Sequence, residues 1–127
     1  MDAIQFSQRA LQDENLRLFL QEVADEAARD ISPKGRDRSI TLASMLCGIA
    51  AYALYRWLKN YFDKERGWQQ AELRQQMELE IEDLIQNGGF PPKEARATIL
   101  ALSEHIANRS SDDPILKMAF ALMSEPT

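Results

Sequence analysis

Residues 40–55, ITLASMLCGIAAYALY, carry no charge, and only Arg56 interrupts the run before Leu58. Leucine, alanine and methionine favour a helix, and no proline breaks it. A helix apolar around its whole circumference cannot lie against water on any side. It must be enclosed by lipid, by copies of itself, or by the rest of its own chain.

The features of a membrane span are present. Residues 40–58 nearly match the ~20 residues that cross a hydrocarbon core. The aromatic residues gather at one end, where Tyr52, Tyr55, Trp57 and Tyr61 would form an interfacial collar with Arg56 and Lys59 reaching the headgroups. Ala43, Ser44, Cys47, Gly48 and Ala51 form a row of small residues that lets two helices approach closely. Basic residues bracket the run on both sides (Lys34, Arg36, Arg38; Lys64, Arg66). Against a span, mean hydropathy over the best 19 residues is only about 1.4. By the width of its other apolar faces the 127-residue chain offers too little to cover the rod, so both readings predict self-association. The sequence expectation is a membrane-associated protein. Its alternative is a cytoplasmic homo-oligomer with residues 40–58 at its axis.

No strand signal occurs, and the fold class is all-α. Leu16, Leu20, Val23, Ala27 and Ile31 share one face, predicting a first helix over 3–31 that ends at Ser32-Pro33-Lys34-Gly35. The second helix starts at Asp37 or Ser39 and meets no strong stop before Asn87-Gly88-Gly89, with Gly67 its one plausible break. It would run over about 38–87, roughly 70 Å long. Pro91-Pro92 opens the third helix, and Asp112 or Asp113 caps the fourth at Pro114. The expectation is therefore four helices in three parts: an acidic helix at 1–32, the apolar helix at 37–66, and a C-terminal helical hairpin unit at 67–127.

The 20 acidic residues against 15 Lys and Arg give a net charge of −5, with no basic stripe to hold nucleic acid. A lone cysteine, Cys47, forms no internal disulfide and fits a reducing compartment. Buried among apolar residues with no cation beside it, it reads as a small hydrophobe rather than a nucleophile. His105 is the only histidine and has no nucleophile nearby in sequence. It reads as a solvent-edge helix residue. Glu78, Glu80, Glu82 and Asp83 lack the Glu-x-x-His partners of a di-metal bundle and read as a solvated face. No nucleotide-binding or zinc pattern appears. Catalytic, cofactor and metal residues are therefore expected to be none.

The stretch EIEDLIQNGGFPPKEARATILAL, followed by DPILKMAFALMS, resembles the helix–GF–helix–helix pattern of ubiquitin-associated and related three-helix modules. The resemblance covers about a third of the chain. It implies a protein-binding patch around Phe90 and Phe120. The function expected from sequence is a non-catalytic helical adaptor that binds itself and partners of unknown identity.

Overall fold

The computed structural model describes residues 1–32, 40–62 and 70–125, all helix and turn with no strand among them. Order begins at Asp2, whose carboxylate accepts the Gln5 N–H at 2.8 Å while the Gln5 side chain accepts the Asp2 N–H at 3.1 Å. This reciprocal cap starts α1, Ala3–Gln12. Asp13 then ends α1 and starts α2, Glu14–Ile31: its extended backbone breaks the helix, and its side chain accepts from the Leu16 N–H at 3.0 Å. The helix expected over 3–31 is thus two helices, because an aspartate competent to cap interrupts an otherwise unbroken apolar face.

The apolar run forms α3, Ile40–Asn60. Its expected continuation to residue 87 is absent. The Tyr61 and Phe62 N–H groups both donate to the Trp57 carbonyl, at 2.9 and 3.2 Å, and regular helix stops there. The stop at 33–35, the caps at Asp37 and Ser39, the bracketing residues Lys34, Arg36, Arg38, Lys64 and Arg66, and the break at Gly67 lie outside the described residues. Chain order continues with α4, Gln70–Leu79, and α5, Ile81–Gln86, parted only by Glu80. Next comes α6, Pro92–Ala107, led in by Gly89 at φ 69°. Last is α7, Pro114–Met123, capped by Asp113 at the Ile115 and Leu116 N–H groups. The described residues therefore hold seven helical segments, or six if α4 and α5 count as one kinked helix, rather than four.

α3 is the central helix. It packs against α1, α2, α6 and α7, and its Leu46, Ile49, Ala50, Leu54 and Trp57 are fully buried. Each such leucine or isoleucine contributes about 2 kcal/mol by leaving water. The helices around it bury many alanines: Ala10 on α1, Ala24 and Ala27 on α2, Ala95 and Ala101 on α6. Small side chains bring the helix backbones close, so few helices can wrap the rod. The Tyr55 hydroxyl donates to the Met1 carbonyl at 2.8 Å and ties the chain's start to the middle of α3. One cluster of buried side chains draws on all seven helices, so the three-part division does not correspond to separate cores.

The expected membrane span is overturned. Among the described residues, no helix is long and apolar enough to cross a membrane. The aromatic collar turns inward instead. Trp57 is buried against Phe62, 5.4 Å between ring centroids; Tyr55 packs on Phe6 at 5.6 Å, and Lys59 lies over the Tyr55 ring.

On α6, the Thr98 hydroxyl is buried with no hydrogen-bond partner among the described residues. Thr98→Val keeps the shape and removes that unsatisfied group, so it should stabilise the fold by about 1 kcal/mol. A urea midpoint at or below that of the unaltered protein would show that the hydroxyl is satisfied.

Candidate functional site

Arg56 is the one charge within the apolar rod and needs a partner. Glu80 supplies it, with Nε to Oε2 at 3.1 Å and Nη2 to Oε2 also at 3.1 Å. Tyr61 donates its hydroxyl to Glu80 at 3.0 Å, and Asn60 approaches at 3.5 Å. Asp83 sits 3.4 Å from Arg56 Nε and accepts from the Asn87 amide. Burial, followed by the Asp83 charge, pushes the Tyr52 hydroxyl above its ordinary pKa. Burial and the hydrogen bond to Glu80 do the same for Tyr61. Both therefore remain donors at neutral pH. Glu80 itself is buried, correcting its place on a solvated face, whereas Glu78 and Glu82 do face solvent. The kink between α4 and α5 falls at Glu80, where the N–H reaches back only three residues, to Met77, at 3.0 Å. This network joins α3 to the α4–α5 pair. It acts as a brace.

A second polar cluster lies where α2 meets α6. Glu26 Oε2 is 2.7 Å from His105 Nε2, and Glu104, the residue before His105, lines the same groove as Glu26. The hydrogen bond to Glu26, then burial, then the Glu26 charge raise the Glu104 pKa; Arg74 and His105 oppose the shift. His105 also meets the Phe19 ring edge-on at 6.1 Å, and Arg109 lies 4.9 Å over that ring. It is half-buried and in contact with Glu26, not a free solvent-edge residue. A groove of about 430 Å³ adjoins the cluster, lined by Glu26, Arg29, Asp30, Arg74, Ala97, Leu100, Ala101 and Glu104. Sequence spacing could not find this cluster, because its members come from helices far apart in the chain. Among the described residues no group of His, Cys, Asp and Glu is arranged to hold a metal ion.

The small-residue row divides. Ala51 is fully buried inside the chain, while Ala43 and Ser44 are exposed and Cys47 and Gly48 half-buried. A β-carbon at Gly48 would meet nothing within 4 Å. Ala43, Ser44 and Cys47 form one bank of an open groove of about 490 Å³; Arg17, Gln21, Ala24 and Asp25 of α2 form the other, with Leu11 completing it. Burial, then the Asp25 charge, raises the Cys47 thiol pKa, so it is a poor nucleophile.

Phe90 and Phe120 pack on different aromatic partners. Phe90 packs edge-on to Tyr52 at 5.6 Å, and Phe120 packs on Phe62 at 5.3 Å, beyond the end of α3. The helices after Asn87 enter the common core rather than standing as an independent three-helix module. In comparisons with family models, curated proteins and solved structures, none matches this chain.

Arg56→Lys keeps the charge but cannot make both guanidinium contacts, so it should cost about 1–2 kcal/mol. Arg56→Ala should cost roughly 2–3 kcal/mol, because it leaves Glu80 buried without its counter-charge. Denaturant unfolding measures both, and variants as stable as the unaltered protein would mean that Glu80 is adequately solvated without Arg56.

Proposed function

We propose that this chain is a non-catalytic helical assembly protein that associates with a second copy of itself through the α2–α3 groove. The carrying observation is the pattern on the groove's α2 bank. Arg17, Gln21 and Asp25 follow one another at four-residue steps, giving a positive, a neutral and a negative position along one ridge. The two charges are about 12 Å apart at 1.5 Å per residue. A two-fold axis through Gln21 places Arg17 of each copy opposite Asp25 of the other, so the ridge is complementary to itself when antiparallel. Neither residue has an ion pair among the described residues.

The exposed surface around the groove suits close packing. Thr41, Ala43, Ser44 and Met45 of α3 face outward, and Leu18 of α2 is 49% exposed. The small side chains allow a partner helix to approach, while Leu18 and Met45 supply apolar area. This differs from an oligomer built around all of residues 40–58, since the second half of that segment is already covered within one chain. Such an assembly works in water, and the lone Cys47 fits the reducing cytoplasm.

Sedimentation equilibrium over a concentration series should show a monomer–dimer equilibrium. Arg17→Asp alone and Asp25→Arg alone should each weaken it roughly tenfold, and the double swap should restore it. Gly48→Leu should preserve helix content but reduce association. A monomer at every concentration, or a double swap no better than either single change, would refute the groove as a self-association surface.

A further inference from the structure

Asn87 is followed by Gly88, whereas the chain's other asparagines, Asn15, Asn60 and Asn108, precede leucine, tyrosine and arginine. The side-chain carbonyl of an asparagine is open to attack by the backbone nitrogen of the next residue, and a following glycine alone carries no β-carbon to crowd that nitrogen. Asn87 is exposed, so water and hydroxide reach it. In the folded chain its contacts with Asp83 hold the reaction back. The Asn87 side-chain amide donates to Asp83 Oδ1 at 2.6 Å, and the Asn87 and Gly88 N–H groups both donate to the Asp83 carbonyl, at 2.9 and 3.0 Å. Ring closure needs Cβ, Cα and C of Asn87 nearly eclipsed with the Gly88 nitrogen, and the helical ψ of −35° at Asn87 keeps them far from it. We propose that Asn87 is a site of spontaneous deamidation gated by Asp83, shut while the last turn of α5 is closed and reactive when that turn opens. The site does not depend on self-association.

The step balances with water alone. Once the turn opens, hydroxide removes the Gly88 N–H proton, and the nitrogen attacks Asn87 Cγ. The new N–C bond closes a succinimide ring as the C–N bond of the side-chain amide breaks. Ammonia leaves, taking its third hydrogen from water and restoring the hydroxide. Water then opens the ring at one of its two carbonyls, giving aspartate or, with the backbone rerouted through the side chain, isoaspartate. Either product puts a carboxylate beside Asp83 where an amide now donates, so attraction becomes like-charge repulsion. The same turn carries the Phe90 N–H to the Leu84 carbonyl at 3.1 Å and seats Phe90 against Tyr52. Asp83 is itself held by Arg56 of α3 at 3.4 Å. The reaction therefore reads how firmly the brace holds α5 and, once complete, weakens the turn that leads into α6.

The full chain, folded and in urea, is incubated in mildly alkaline buffer while peptide mapping follows conversion of Asn87 to aspartate and isoaspartate. Conversion should concentrate at Asn87, accelerate as pH rises, and run faster in urea than in the folded chain. Asp83→Ala removes the acceptor of the side-chain amide. Its folded-state conversion should be roughly two- to tenfold faster, the scale of one hydrogen bond lost from the opening equilibrium. Hydrogen exchange at the Gly88 amide should rise by a similar factor, which ties the change to this turn. Asn87→Asp should raise the unfolding constant by roughly two- to fivefold, as expected for an exposed pair of like charges. A folded chain that converts as fast as the unfolded one would overturn the gate, whether or not Asp83→Ala folds, and so would a folded Asp83→Ala that converts no faster. Conversion spread evenly over Asn15, Asn60, Asn87 and Asn108 would overturn the site itself.

Discussion

The requirement that α3 be enclosed on nearly every side determines how the other helices are placed. No polar face is available to turn toward water along most of its length, so α1, α2, α6 and α7 must all reach it. These helices bury many alanines and a few large side chains, of which Phe6 packs on Tyr55 of α3 at 5.6 Å. Close backbone approach substitutes for bulk here. A core of this kind depends on dispersion contacts at short range, so added volume at the alanines would push the helices off the rod. The enclosure is incomplete only over the first half of α3, where Thr41, Ala43, Ser44 and Met45 remain exposed. That gap in coverage is where the proposed assembly surface lies.

Arg56 poses the opposite problem within the same helix. Enclosing an apolar rod that carries one guanidinium would strand a charge, and desolvation costs more than a single poorly placed partner returns. Glu80, Asp83, Asn60 and Tyr61 together satisfy it and each other. Such a network adds less net stability than an apolar patch of equal size, but it admits only one register. Sliding α4–α5 by a turn along α3 would bury Glu80 and Arg56 apart. The brace thus fixes where the kinked pair sits, while the apolar core supplies the bulk of the cohesion.

Much of this was legible in the residues. The absence of strands, the inward faces of α2 and α6, the Asn87-Gly88-Gly89 turn, and the Pro114 start of α7 all rest on local chemistry, which sequence displays directly. The break at Asp13 was hidden because the apolar period continues on both sides of it. The end of α3 at Asn60 was hidden because no glycine or proline marks it; the helix stops where Tyr61 and Phe62 turn to Glu80 and Trp57. The enclosure of α3 was misjudged by counting the width of apolar faces and not the small size of the side chains on them. Glu80 and His105 look like ordinary surface residues in isolation. Their roles depend on partners contributed by other helices, Arg56 and Glu26, and no local period encodes those pairings.

α2 meets different neighbours along its two edges. Arg17, Gln21 and Asp25 line the groove against α3, while Glu26, one residue on and about 100° around the helix, points to α6. A helix seated against α3 on one side and α6 on the other holds its Arg17–Asp25 ridge in a fixed orientation. In the proposed pairing a second copy would meet a preformed surface and little ordering would be needed, so protein concentration would set the dimer population.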